Sequence, residues 1–178
     1  MKAQFWSFDA VFGMVVFIFG IVILVYAWVT ISNSYTSSSS NNAGIMQSEL
    51  VQLNAVLFNK GTPINWNSVI NVSNTLSWGG ISIGIGSTND QSRSVSSSKL
   101  MALFAMSNTN YQLSKEELGV AYDYYINISS STFSIAIGKN PELYNATSIN
   151  TLKEPILING APAQAQIMIW TNTTFGIV

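Results

Sequence analysis

Neither cysteine nor histidine occurs anywhere in this sequence of 178 residues, and charge is almost as scarce. Without cysteine there is no disulfide framework, no thiolate nucleophile and no cysteine-built zinc site. Without histidine the usual general base near neutral pH is missing, and with it the Ser-His-Asp arrangement. Carboxylate or Ser-Lys chemistry remains open in principle. Seven basic and eight acidic side chains give a net charge of −1. Scattered in this way they form no basic patch to neutralise phosphates, so nucleic acid is not expected as a partner. Charged residues make up 8% of the chain, against about 25% in an ordinary soluble protein.

Ser, Thr and Asn fill the gap, at roughly 30% of residues. Cytosolic proteins normally rely on Lys and Glu for solubility. A polar but neutral surface suits a chain that is glycosylated outside the cell, or one that packs against its own copies.

From Ala10 to Ile31 no charged side chain occurs and almost nothing polar. As a helix the stretch covers roughly 30 Å, the hydrocarbon thickness of a bilayer. Trp6 lies near one end and Tyr26 and Trp28 near the other, the spacing of aromatic residues at two membrane interfaces. Lys2 precedes the segment and the next basic residue is Lys60, which predicts a cytoplasmic N-terminus and an outward-facing bulk. A cleaved secretory signal would have a shorter apolar core and a small-x-small site, whereas this run ends in Tyr26-Ala27-Trp28-Val29-Thr30. The helix is therefore expected to be retained. Phe5, Phe12, Phe19 and Tyr26 recur every seven residues, and Phe8, Val15, Val22 and Val29 repeat three positions further on. Together they form a seam able to pack neighbouring helices. A helix apolar all round also shows some stripe by chance. Asp9 stands at the head of this segment, where the helix dipole favours a carboxylate and lipid demands a partner for it.

The opening Met1-Lys2-Ala3-Gln4-Phe5-Trp6-Ser7-Phe8-Asp9 resembles the start of archaeal type IV pilin-like proteins. Scattered pieces of the remainder are similar to an uncharacterised subgroup of them: Gly61-Thr62-Pro63-Ile64-Asn65-Trp66, Ser98-Lys99-Leu100-Met101, Leu118-Gly119 with Asp123-Tyr124-Tyr125-Ile126-Asn127-Ile128, and a hairpin around Asn159-Gly160 ending near Trp170. The resemblance implies a class III signal peptide, cut by a prepilin peptidase between Ala3 and Gln4. It also implies that Asp9 neutralises the new amine of a neighbouring subunit. The leader is very short, and Asp9 falls one residue later than the acidic position of that family.

Domains are expected at 1–31 (leader and hydrophobic helix), 32–44 (a Ser/Asn-rich linker) and 45–178 (an extracellular α+β domain). Ile45 to Phe58 has helical spacing ended by Gly61-Thr62-Pro63. Ile81-Ser82-Ile83-Gly84-Ile85 alternates as a half-buried strand, its glycines marking an edge or bulge. Asn89 to Ser98 reads as a polar loop, Lys99 to Met106 as helix, and Ser114-Lys115-Glu116-Glu117 as a capping box. Tyr122–Ile128 pairs with Thr132–Ile137, and Ile156–Ile158 with Ala163–Trp170 around Asn159-Gly160. The fold class is α+β: a long N-terminal hydrophobic helix, then a small antiparallel sheet with short helices packed on the helix's C-terminal half.

Asn-x-Ser/Thr sequons at Asn71, Asn127, Asn145 and Asn172 are candidate N-glycan acceptors, although a chain this rich in Asn, Ser and Thr also produces them by chance. Glu116, Glu117 and Asp123 form the densest acidic group and read as a solvated helix start rather than a catalytic pair. Asp90 with Asn89 and Thr88 lacks the repeated acidic positions of a calcium loop. Trp66 and Trp78 are open to sugar stacking, but core filling is the commoner role. No cofactor, metal or catalytic residue is expected.

The leading expectation is a structural, non-enzymatic subunit of a type IV pilus-like filament for adhesion or cell contact. It would be membrane-inserted before assembly and homo-oligomeric after, meeting a prepilin peptidase and cell-surface glycans. Processing would involve Ala3 and Gln4, and assembly Asp9, Phe5, Phe12, Phe19 and Tyr26. The alternative is a monomeric single-pass ectodomain acting as an adhesin or carbohydrate-binding module.

Overall fold

The computed structural model describes residues 3–88 and 93–172, with side chains described at 10–32, 42–88 and 93–172. Compactness divides the chain into two units, one running to Asn42 and the other beginning at Ala43. Helix α1 spans Ala3–Phe58. Its backbone is helical through the Ser/Asn tract as well, where composition suggested a flexible linker. Ser and Asn are weak helix formers. Once helix is nucleated on either side, however, propagation through such a tract avoids the nucleation cost.

In the second unit α1 becomes amphipathic. Met46, Glu49, Leu50, Leu53, Val56 and Leu57 are buried, the spacing of one helical face. Gly61, at a positive φ of 75°, turns the chain out of the helix, and its N–H donates to Asn59 Oδ1 at 2.9 Å. Short helix α2 (Trp66–Val69) and a 3-10 turn at Thr75–Ser77 follow.

The predicted strand at Ile81–Ile85 is not one. Among the described residues its one bridge is Thr62 to Ser82, with Gly86 bridging to Val95 just beyond it. Ile83 and Ile85 are buried, but Gly84 and Gly86 lie so close to the Asn59 and Phe58 carbonyls that a Cβ at either would clash with them. The alternation there fits a segment pressed against the end of α1, where the glycines permit the close approach.

The sheet has five strands in the order β1-β4-β5-β2-β3. These are β1 (Ser94–Val95), β2 (Asp123–Ser129), β3 (Ser134–Gly138), β4 (Ser148–Ile158) and β5 (Ala161–Thr171). Four are antiparallel neighbours. The expectation of a purely antiparallel sheet is corrected by β1, which runs parallel to the end of β4 through Ser94–Leu157 and Val95–Ile158. It lies in the stretch read as a polar loop, where two residues are too few to carry a period. The β4–β5 hairpin turns at Asn159-Gly160 as expected, both residues at positive φ. It is longer than the apolar pattern suggested, extending back to Ser148 opposite Thr171.

Helix α3 (Ser97–Thr109) buries Leu100, Leu103 and Met106, and α4 (Tyr111–Glu117) follows it directly. The predicted cap at Ser114 lies inside α4. The N-cap is Asn110, whose Oδ1 accepts the Leu113 N–H at 3.0 Å. On the inner sheet face Tyr124, Ile126 and Ile128 alternate with half-buried residues, opposite Ile169, Ile167 and Ala165 of β5. Together with the buried stripes of α1 and α3 they make the core.

Candidate functional site

Two features of the described residues stand out chemically: the apolar half of α1, and a cluster of aromatic and charged side chains at one end of the sheet. The segment Ala10–Ser32 is long and apolar enough to cross a membrane, and none of it is buried within the chain. A signal sequence near an N-terminus meets the same description. Along the seam, Phe12, Val15, Phe19, Val22, Tyr26 and Val29 are all exposed. So are Phe17, Leu24 and Trp28 on other faces, and exposure therefore does not single the seam out. Ala3, Gln4, Phe5 and Asp9 have helical backbone, and their side chains lie outside those described.

The cluster is assembled from four elements and a 3-10 turn at Pro141–Tyr144 that carries Tyr144. Tyr111 and Lys115 stand four residues apart on α4, and therefore on one face. Asp123 and Tyr124 open β2, Lys139 follows β3, and Trp170 is the last residue but one of β5. Asp123 Oδ1 accepts the Tyr111 hydroxyl proton at 2.9 Å and faces the Lys115 and Lys139 ammonium groups at 3.7 and 3.8 Å. The Tyr111 oxygen in turn accepts the Tyr124 N–H at 3.0 Å, and the two rings stack at 5.2 Å. Ser114 Oγ and the Tyr124 hydroxyl share a hydrogen bond of 2.9 Å. Lys139 Nζ lies 4.6 Å above the Tyr111 ring and 5.4 Å from that of Tyr144, a cation–π arrangement. Trp170 Nε1 donates to the Lys139 carbonyl at 2.9 Å, and its ring stacks on Tyr144 at 5.8 Å.

Burial drives the Tyr111 hydroxyl far above its ordinary range, reinforced by the Asp123 carboxylate although the Tyr124 N–H opposes it. Burial also raises Tyr124. Both phenols therefore stay protonated, and Tyr111 donates to Asp123. The carboxylate of Asp123 is drawn to two lysines and a phenol rather than to a second acid. Glu117 is raised by partial burial and then by its neighbour Glu116. The arrangement ties α4 to three strands. Each polar group named has a partner, and none is left poised as a nucleophile.

Trp66 and Trp78 are both fully buried, donating from Nε1 to the Gly84 and Asn71 carbonyls. They fill the core, the commoner of the two roles weighed. Residues 89–92, including the calcium candidate Asp90, lie outside the described residues. Among the described residues no group of three or more acidic side chains is placed to hold a metal. Of the sequons, Asn71, Asn145 and Asn172 are exposed, while Asn127 is half-buried within β2.

Helical spacing sets Glu49 beside Leu50, Leu53 and Leu57, but does not mark it or Lys99 as a buried polar anchor. Glu49, 6% exposed, receives the Ala121 and Tyr122 N–H groups on its two oxygens at 2.9 and 3.1 Å. Lys99 is buried and donates to the Lys60 and Gly86 carbonyls at 2.5 and 3.3 Å. A charged residue on an otherwise apolar helical stripe is the signal of such an anchor at Glu49. A groove of about 450 Å³ lies between α3 and β3, lined mainly by apolar residues that include Met101, Phe104 and Phe133.

Compared with protein-family models, curated proteins and solved structures, the chain matches none.

Proposed function

We propose that this protein is a structural subunit of a type IV pilus-like extracellular filament, assembling through its N-terminal hydrophobic helix. The observation that carries the reading is the 23-residue apolar span Ala10–Ser32, none of which is buried in its own chain. So much apolar surface is stable only in lipid or against other copies. A bilayer accommodates it before assembly, and a bundle of like helices accommodates it after. The opening residues resemble those of archaeal pilin-like proteins, and the second unit carries its own core independently of the apolar span. Contacts that repeat without closing into a ring give an open filament.

In this reading the chain is cut between Ala3 and Gln4 by a prepilin peptidase. Asp9 pairs with the freed amine of a neighbour, and Phe5, Phe12, Phe19 and Tyr26 line the contact. The second unit faces outward, where it meets surfaces or other cells. The test is to shear intact cells, collect the released material and read the N-terminal residue of this protein by mass spectrometry. A filament fraction beginning at Gln4 is the expected result. Protein retained in the membrane with Met1 intact would instead make it a single-pass anchored ectodomain, and would overturn the filament reading. Asp9→Ala is expected to insert normally into the membrane and to abolish filaments.

A further inference from the structure

Four sequons are present, and the structure presents them unequally. Asn71 occupies an exposed loop between α2 and the 3-10 turn, and its Oδ1 accepts the Ser73 N–H at 3.1 Å. The loop is pinned beneath it. Ser77 Oγ accepts the Asn71 N–H at 2.9 Å and lies within donating distance of the Asn71 and Asn74 carbonyls, at 3.1 and 2.7 Å. The buried Trp78 donates from Nε1 to the same Asn71 carbonyl at 3.3 Å. The side-chain amide nitrogen of Asn71 and the hydroxyl of Ser73 make no hydrogen bond within the described residues. The acceptor nitrogen and the hydroxyl that completes the motif are thus both free, on a segment outside the sheet.

The other sites differ. Asn127 is held between Ala136 and Gln166 in the middle of the sheet, and its Oδ1 accepts from Ser134 Oγ at 3.2 Å. Lifting it into an enzyme would unzip β2 from both neighbours. Asn145 is exposed, but the hydroxyl of its motif is engaged, Thr147 Oγ1 donating to the Thr171 carbonyl at 3.2 Å. The hydroxyl residue of the Asn172 motif, Thr174, lies outside the described residues.

We propose that Asn71 is the N-glycosylation site of the folded domain. Its Nδ2 would displace a lipid phosphate from the anomeric carbon of a lipid-phosphate-linked oligosaccharide, on a membrane-bound transferase. The N–C1 bond forms and the C1–O bond to phosphate breaks. The lipid phosphate departs with the bonding pair, and the amide gives up one proton. The same loop exposes Leu76, at 91%, with Val69 exposed just before it. A glycan here covers apolar surface on a chain that has little charge to keep it soluble. The proposal rests on the outward-facing half of the functional reading and is independent of filament assembly.

The experiment is glycopeptide mass spectrometry on the full-length protein from its native cells, with protease treatment of intact cells reporting location. The expected result is a hexose-containing mass increment on the Asn71 peptide. It should be lost in Asn71→Gln and in Ser73→Ala, kept in Ser73→Thr, and unaffected by Asn127→Gln. A protease-accessible domain with a bare Asn71, or with its glycan on Asn127 or Asn145 alone, overturns this assignment and leaves the location standing. A domain shielded from protease with Asn71 bare overturns both.

Discussion

Glu49, like Lys99, is a charged side chain buried in a mainly apolar core, and it persists because both carboxylate oxygens are satisfied by backbone N–H groups. Gln52 adds a second tie one turn along, donating from Nε2 to the Leu118 carbonyl at 2.8 Å. Hydrogen bonds to charged groups contribute roughly 1.5–3 kcal/mol each. Glu49→Ala is therefore expected to destabilise the second unit by about 3 kcal/mol, read as a lower urea midpoint of tryptophan fluorescence in detergent. Leu53→Ala at a neighbouring buried position tests packing alone. The tyrosines of the cluster make a separate claim about pH. Their folded-state pKa values are raised, mainly by burial. The stability they confer is fully present below the unfolded value of about 10 and is lost as pH rises past it, at about 1.4 kcal/mol per pH unit for each group. Lys99 works in the opposite sense. Burial and then Lys60 lower its pKa, so its contribution is largest above its unfolded value and falls as pH drops through the lowered one. A urea midpoint that declines steeply above pH 10, and less steeply in Tyr111→Phe, is the expected outcome. An unchanged slope in that variant would remove the role given to Tyr111.

At the scale of elements, the legible parts were those in which a period runs long enough to count. The buried stripe of α1 from Met46 to Leu57, the β2–β3 hairpin and the Asn159-Gly160 turn all follow from spacing or turn chemistry. The errors arose where one pattern has two physical sources. Alternation of Ile81, Ile83 and Ile85 arises from strand pleating, but it arises equally from isoleucines seated around glycines that let two backbones touch. Ser114 has the composition of a cap, yet tertiary contact directs its hydroxyl to Tyr124 and leaves capping to Asn110. The Asp123 cluster joins residues as far apart as Tyr111 and Trp170, and no local window contains such a pairing. Gly86→Ala tests the close-approach account. A Cβ there meets the Phe58 carbonyl, and neither backbone can yield without disturbing the Gly86 N–H bond to Asn59 O. Overpacking of this kind costs about 1–3 kcal/mol. Ser82→Ala, at an exposed position in the same segment, is expected to be near neutral in the same melt.

At the scale of the whole molecule, two arrangements of the apolar half of α1 differ in their consequences: one apolar alike on every side, the other with a preferred contact side. Exposure is alike on the two sides: Phe19 on the seam and Phe17 away from it are 65% and 68% exposed. The heptad spacing separates them by direction, since residues seven apart return to nearly the same side of a helix whereas Phe17 points away from that stripe. The two phenylalanines thus form a matched pair: the same side chain at equal depth in the span, differing only in direction. Both should insert into lipid equally after truncation to alanine, because either change removes a similar apolar area from a span well above the length a bilayer requires. In a filament the pair should separate. Burying a phenylalanine against neighbouring helices contributes about 3–5 kcal/mol relative to alanine. Phe19→Ala is therefore expected to lower the temperature at which sheared filaments disassemble into sedimentation-resistant subunits, with Phe17→Ala close to the parent. Equal losses in the two variants would mean that the helix is packed on all sides and that the seven-residue repeat has no structural role. No loss in either would leave the span as an anchor and the second unit as the part that makes contact.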